Sequence, residues 1–183
     1  MSHHAIGLVE LNSIAKGFEV CDAMAKTALV EVLVAKSICP GKYIVMIGGD
    51  VAAVQQSVTT GESLAGPTLV DRFVIANIHA SVLPAISGGN SIGEIEAVGV
   101  IETYSVAATI EACDAAVKAA SVTPLRMHLA FGIGGKSYVA LTGRVADINA
   151  AVEIGAALAG ERGFLVNKVV IPRPHPQLVQ QLS

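Results

Sequence analysis

The stretch AIGLVELNSIAKGFEVCDAMAKTALV, residues 5–30, recurs 92 positions later as AVGVIETYSVAATIEACDAAVKAASV, residues 97–122. The two segments align without a gap and share 12 of their 26 residues. The register continues with small insertions until His79 meets His175. Self-similarity over this length indicates a tandem duplication, so the chain is predicted to be two copies of one structural unit.

The boundary between the copies is predicted from composition. The Gly- and Ser-rich stretch SGGNSIGEIE, residues 87–96, has the residues of a connecting loop. We therefore predict a first domain over residues 4–86, a linker over 87–95 and a second domain over 96–183.

Each copy has the same pattern of predicted elements. A strand is followed by a helix whose apolar residues recur with helical spacing, two strands then flank a loop, and a second helix and a fourth strand close the copy. The predicted face of the first helix is Phe18, Cys21, Ala25 and Ala28, matched in the second copy by Ile110, Cys113, Val117 and Ala120. The second helix is predicted to begin at a capping Asp50, with a buried face of Val51, Val54 and Val58. The order β-α-β-β-α-β predicts two ferredoxin-like, split-βαβ domains of the α+β class, each a sandwich of helices on a sheet.

The composition excludes several classes of function. The chain of 183 residues is 52% apolar and only 15% charged, with a mean hydropathy of +0.61. No stretch reaches the roughly 18 apolar residues of a membrane span, and a net charge of −3 without a basic run argues against nucleic-acid binding. A soluble chain with this composition has more apolar surface than it can bury alone, which is typical of subunits in obligate assemblies. Three cysteines without a secretory leader favour a reducing, cytoplasmic location.

The repeated motifs resemble a known family. The strand A-[IV]-G-[LV]-[VI]-E, the helix C-D-A-x-x-K-x-A, the Gly-Lys pair that enters the next strand and the closing VVIPRPH, residues 169–175, are similar to bacterial microcompartment shell domains. Two such domains in unpermuted order, with ICPGK in the first loop, resemble the tandem-domain class found in propanediol-utilisation compartments. The resemblance implies a homotrimeric tile with six domains around a central pore, which joins other shell proteins in a hexagonal sheet.

The resemblance also assigns the loops between the second and third strands to the pore. Its lining would come from Ser37, Ile38, Pro40 and Gly41 in the first copy and from Phe131, Gly132, Ile133 and Gly134 in the second. Cys39 occurs only in the first loop and would be present three times around the axis. The matching cysteine of the family binds a [4Fe–4S] cluster, so the resemblance implies a cluster shared by three chains. From the residues alone, an unmetallated turn cysteine is the favoured interpretation of Cys39.

The other candidate residues have plainer interpretations. Cys21 and Cys113 occupy equivalent helix positions and are predicted to be small apolar core residues. The FGIGG loop leads into a strand and not into a helix, which argues against a phosphate-binding loop; we interpret its glycines as allowing a close backbone path beside a cofactor. Lys26, Lys118 and Arg173 match the tile-edge residues of the family, although the first copy has Asn77 in place of the arginine.

Three functions follow as hypotheses. The first is a non-enzymatic shell tile whose cluster on Cys39 passes electrons across the shell to a redox enzyme inside. The second is a shell tile whose unmetallated pore passes a small metabolite. The third is an enzyme with Cys39 as nucleophile, its pKa lowered by Lys42, for which the sequence supplies no general base.

Overall fold

The computed structural model describes residues 5–91 and 93–182. The ends of the predicted domains at residues 4 and 183, and one residue of the predicted linker, lie outside the described residues. The elements run in the order β1 (Ala5–Leu11), α1 (Ile14–Thr27), β2 (Val30–Ile38), β3 (Lys42–Gly49), α2 (Val51–Ala65), β4 (Leu69–Ile75), α3 (Val82–Ser87), β5 (Ala97–Thr103), α4 (Val106–Ala119), β6 (Val122–His128), β7 (Ser137–Gly143), α5 (Val145–Glu161), β8 (Leu165–Pro172) and α6 (Pro176–Leu182).

The predicted element order and fold class are confirmed. The first sheet has the strand order β2-β3-β1-β4 and the second has β6-β7-β5-β8, with antiparallel pairing throughout. These are two copies of the same α+β topology, and the equivalent strands pair in equivalent registers.

The repeated glycine of the first strand lets a helix pack closely on each sheet. A Cβ on Gly7 would lie 2.4 Å from Val58, and one on Gly99 would lie 2.5 Å from Val152. Helix α2 in the first unit and helix α5 in the second therefore approach the sheet at a distance that only glycine permits. The core of the first unit lies between this sheet face and its two helices, and includes Val9, Met24, Val45, Val54 and Val58.

Two details of the predicted helices are wrong. In α1 the residues that the chain buries are Gly17, Val20 and Met24, and Phe18 is 64% exposed. The predicted face lies about 100° around the helix from the buried one, because it begins one residue later. In α2, Val51 is exposed and the Asp50 side chain makes no capping hydrogen bond, although Asp50 does occupy the N-cap position.

The contacts divide the chain at a different place from the predicted linker. One unit ends at Ile78 and also includes Phe131–Gly135; the other begins at His79. Helix α3 belongs to the second unit because it packs on β6 and α4, although it follows the last strand of the first copy. The Gly/Ser-rich stretch comes after this helix.

Candidate functional site

The loop that carries Cys39 is a tight turn between two paired strands. Strand β2 ends at Ile38 and β3 begins at Lys42, and the Gly41 N–H donates a hydrogen bond of 3.1 Å to the Ile38 carbonyl. Gly41 has a φ of +86°, which a glycine adopts without strain. Cys39 is half-buried, whereas Ser37, Pro40 and Gly41 are exposed. Ile38 differs from the other predicted lining residues, because its side chain is buried in the core.

The second predicted loop contacts the thiol of the first. Phe131–Gly135 belongs to the same unit as Cys39, and the Gly132 N–H donates to Cys39 Sγ over 3.4 Å. Gly132 and Gly134 have positive φ values, and Phe131 is largely exposed. The family resemblance implied that both loops line one pore, but the sequence did not predict this hydrogen bond, since no residue pattern reports which backbone N–H faces a sulfur atom.

Gly135 fits against the Cys39 turn itself. A Cβ on Gly135 would lie 2.6 Å from Pro40 Cδ and 3.0 Å from the Cys39 carbonyl oxygen, and its φ is +83°. A close backbone approach is therefore present at Gly135, where the neighbours are the Pro40 ring and the Cys39 backbone; the predicted path of these glycines beside a cofactor stays a prediction.

An ion pair follows each of the two loops. Lys42 Nζ lies 2.5 Å from Glu10 Oε1, and Lys136 Nζ lies 2.6 Å from Glu102 Oε1. The hydrogen bond to Glu102 raises the pKa of Lys136. The Gly-Lys pair and the strand Glu of the repeated motif are thus partners, and each lysine ties the end of its loop to the central part of the sheet. The Glu10–Lys42 pair is buried, whereas the Glu102–Lys136 pair is partly exposed.

The other two cysteines differ from Cys39 in their surroundings. Cys113 is buried in α4, and burial, with a smaller effect of Asp114, strongly raises the pKa of its thiol. Cys21 is half-buried in α1, so its predicted burial is only partial; burial, with Asp22, raises its pKa as well. Because a metal binds the thiolate, both thiols are poorly suited to be ligands.

The described part of one chain does not bring together a set of metal ligands. Within residues 5–91 and 93–182, no three His, Cys, Asp or Glu side chains come together in a way that could hold a metal ion. One Cys39 thiol per chain is what the loops provide, so a metal centre at this place requires several chains.

The predicted edge residues have partners inside their own unit. Lys26 pairs with Asp22 over 2.6 Å and Lys118 pairs with Asp114, each with the carboxylate four residues earlier in the same helix. Both ammonium groups keep part of their surface exposed. Arg173 is exposed, and its backbone N–H donates to the Glu96 carbonyl over 2.9 Å.

Among the helices of the described residues, none combines the length and the apolar composition that a membrane crossing requires.

Comparison with known proteins agrees with the duplicated fold. The BMC domain family model matches residues 5–78 and again residues 97–174. The bacterial microcompartment shell protein PduT of Citrobacter freundii is 59% identical over 97% of this chain and 97% of its own length. The shell protein EutM of Salmonella typhimurium is 47% identical over 46% of this chain and 85% of its own length, so it corresponds to one copy of the repeat.

A solved structure matches nearly the whole length of the chain. The crystal structure of a microcompartment protein from Desulfitobacterium hafniense is 52% identical, has a TM-score of 0.85, and covers 96% of this chain and 98% of its own. The chain therefore belongs to the BMC domain family of bacterial microcompartment shell proteins and carries two such domains in tandem.

Proposed function

We propose that this protein is a structural tile of a bacterial microcompartment shell in the cytoplasm. Three chains would form one tile, and the three Cys39 thiolates at its centre would hold a [4Fe–4S] cluster. The observation that carries the assembly is a difference in exposure between equivalent residues of the two copies.

Equivalent faces of α1 and α4 differ in what the chain buries. Phe18 is 64% exposed, whereas its counterpart Ile110 is fully buried. The counterparts of Gly17, Val20 and Met24 in α4 are buried as well, so α4 buries two faces where α1 buries one. Since the two copies share their sequence pattern and their topology, the face left open on α1 is best explained as a surface that another copy covers.

Strand β2 supports the same inference. Val32 is exposed on β2, while its counterpart Pro124 on β6 is buried; Ala35 is exposed and its counterpart Met127 is buried. A contact that joins the second unit of one chain to the first unit of the next is heterologous, and such contacts form a ring when the rotation between successive copies closes. Three chains of two domains each would give the six-fold outline of the tile.

The residues at the loops fit a cluster shared in this way. Iron–sulfur clusters are held mainly by thiolates, and a three-fold axis turns one Cys39 per chain into three such ligands. The Gly132 N–H that donates to Cys39 Sγ is a group of the kind that tunes thiolate ligands from outside the coordination shell. A fourth ligand would be water or a small molecule.

A bound cluster would supply one-electron transfer at the centre of the tile. The role of the chain is to hold the three thiols at the centre, and the partner in electron transfer would be a redox enzyme inside the compartment. In the sheet, Lys26, Lys118 and Arg173 would lie at the edges between tiles. We propose a structural and electron-carrying role, and no catalytic one.

The molecular mass in solution tests the tile. Sedimentation at micromolar concentration is expected to give three times the 18.7 kDa mass of the chain, and electron microscopy should show hexagonal sheets at higher concentration. A stable monomer would overturn the proposal. An iron-free trimer would leave the pore for a metabolite as the function, with Cys39 unmetallated.

A further inference from the structure

The segment that follows the last strand of the first copy is fixed to the second unit by specific contacts. The backbone N–H of His79 donates to Asp114 Oδ1 over 2.8 Å, and the Asn90 amide donates to the Pro124 carbonyl over 2.8 Å. Between these two points lies α3, whose Val82 and Ala85 are buried. All of these contacts lie within the second unit.

The C-terminal segment begins with the same local structure. His79 Nδ1 accepts a hydrogen bond of 3.3 Å from the Ser81 N–H, and His175 Nδ1 accepts one of 3.3 Å from the Gln177 N–H. The His79 carbonyl accepts from Val82 N–H over 3.0 Å, and the His175 carbonyl accepts from Leu178 N–H over 2.9 Å. The backbone N–H of His175 therefore has the same position before α6 as the backbone N–H of His79 has before α3.

Among the described residues, the groups that correspond to the partners of the first segment are exposed. Asp22, the counterpart of Asp114, has a side chain 63% exposed, against 8% for Asp114. Leu178, the counterpart of Val82, is 37% exposed, and α6 has no buried residue. On its own unit α6 makes an apolar contact through Leu182, which packs against Val98, Leu125 and Ala140. The donor residue His175 and the acceptor Asp22 are thus both exposed. The apolar residues Leu178 on α6 and Val32 on β2 are exposed as well.

We propose that the segment His175–Leu182 of one copy docks on the α1–β2 face of the first unit of a second copy, which we define by Phe18, Asp22, Val32 and Ala35. The His175 N–H donates to Asp22 there, and Leu178 becomes buried against β2. Leu182 stays packed on the sheet of its own unit, and the partner contacts the exposed surface of α6 at Leu178. This inference rests on the proposed assembly of several copies and names the contact that closes it.

The occupant is a second copy because the chain already contains the matching contact once. Within the chain, His79 contacts Asp114 and α3 packs on β6. The equivalent groups are His175 and Asp22, and α6 and β2, and we expect them to make the same contacts between two copies. A hydrogen bond to a carboxylate is stronger than a neutral one, and its burial beside Leu178 would protect it from water.

Covalent trapping tests the contact. In a background without native cysteines (Cys21→Ala, Cys39→Ser, Cys113→Ala), Asp22→Cys with His175→Cys is treated with a short thiol-bridging reagent. We expect interchain dimers and closed covalent trimers on a denaturing gel. The matched control, Asp114→Cys with His79→Cys, should bridge within one chain and run as a monomer.

Hydrogen exchange gives a second readout on the native sequence. In the wild type, peptides from β2 and α1 should be protected. Removal of residues 175–183 should abolish that protection, whereas α4, which α3 and α5 cover within the chain, should keep its own and report that the variant is folded.

The outcomes separate the two proposals. A trimer by sedimentation that gives no interchain bridge, while the control pair bridges, would overturn the docking and leave the tile intact. A bridge within one chain between positions 22 and 175 would overturn it as well. A native mass of one chain would contradict both proposals.

Discussion

Cys39 Sγ lies 3.4 Å from the backbone nitrogen of Gly132, so the thiol in one copy of the loop is hydrogen-bonded by the glycine-rich loop of the other copy. The divergence of the two loops after duplication has a physical reason in this contact. One loop has a sulfur atom, and the other has at Gly135 a residue small enough to approach the turn that presents this sulfur.

Substitution of Gly135 should displace this arrangement. Gly135→Ala would place a Cβ 2.6 Å from Pro40 Cδ, so one of the two loops has to move, which typically costs about 1–3 kcal/mol. The matched control is Gly134→Ala: it has the same backbone strain from a φ of +66° but no atom within 4 Å of the new Cβ. We expect Gly135→Ala to lower the thermal midpoint further than Gly134→Ala and to reduce bound iron. Equal midpoints and equal iron in the two variants would show that the contact is unimportant.

A charge on the open face of α1 should block assembly without unfolding the chain. Phe18→Asp removes an exposed ring whose contact within the chain is Tyr43 at 5.1 Å, and an aromatic pair contributes only about 0.5–1.5 kcal/mol beyond its buried area. Circular dichroism should therefore show a folded protein, and sedimentation a monomer. Ile154→Asp is the control, because Ile154 is exposed on α5 and its counterpart Thr60 is partly exposed too. A trimer of Phe18→Asp as stable as that of the control would contradict the proposed interface.

Helices α1 and α4 show most clearly how far the sequence could predict the structure. The repeat, the element order and the glycine of the first strand are local signals, and they were sufficient for the fold. The face of Phe18 and Cys21 was a real apolar face, but periodicity does not report whether the surface that covers it belongs to the same chain. In α4 the equivalent face is buried, and in α1 it is not. The Gly132–Cys39 contact joins residues 93 apart and leaves no local signal.

The edge lysines should affect sheets but not the tile. Lys26→Ala with Lys118→Ala removes two long, partly exposed side chains whose partners, Asp22 and Asp114, lie in the same helix. If these lysines meet a neighbouring tile, their loss should prevent sheets in electron micrographs while sedimentation still gives a trimer. Lys168→Ala is the control, because Lys168 is not among the proposed edge residues and pairs with Glu153 in its own unit; it should leave the sheets unchanged. Normal sheets in the double variant would place the edge elsewhere.

The buried thiol of Cys113 should make the protein sensitive to alkali. Burial raises the pKa of this thiol above its ordinary value of 9.0, so the folded state holds its proton where the unfolded state has lost it. The free energy of unfolding is unaffected below pH 9 and falls as the pH rises above it, by up to about 1.4 kcal/mol per pH unit for one proton. Denaturant titrations at pH 8 and pH 10 should show a smaller loss in Cys113→Ala than in the wild type. The same loss in both proteins would rule out this thiol as the cause.

Iron and sulfide analysis of anaerobically purified protein tests the central claim most directly. We expect about four iron and four sulfide per three chains and broad absorption near about 400 nm in the wild type. Cys39→Ser should give a folded, colourless trimer, because the turn contributes little to the core and symmetry removes three ligands at once. The Cys21→Ser and Cys113→Ser variants should still bind iron at Cys39. A buried hydroxyl without a partner at position 113 would cost about 1–3 kcal/mol of stability. Stoichiometric iron in Cys39→Ser, or a wild-type trimer without iron after anaerobic reconstitution, would contradict the account.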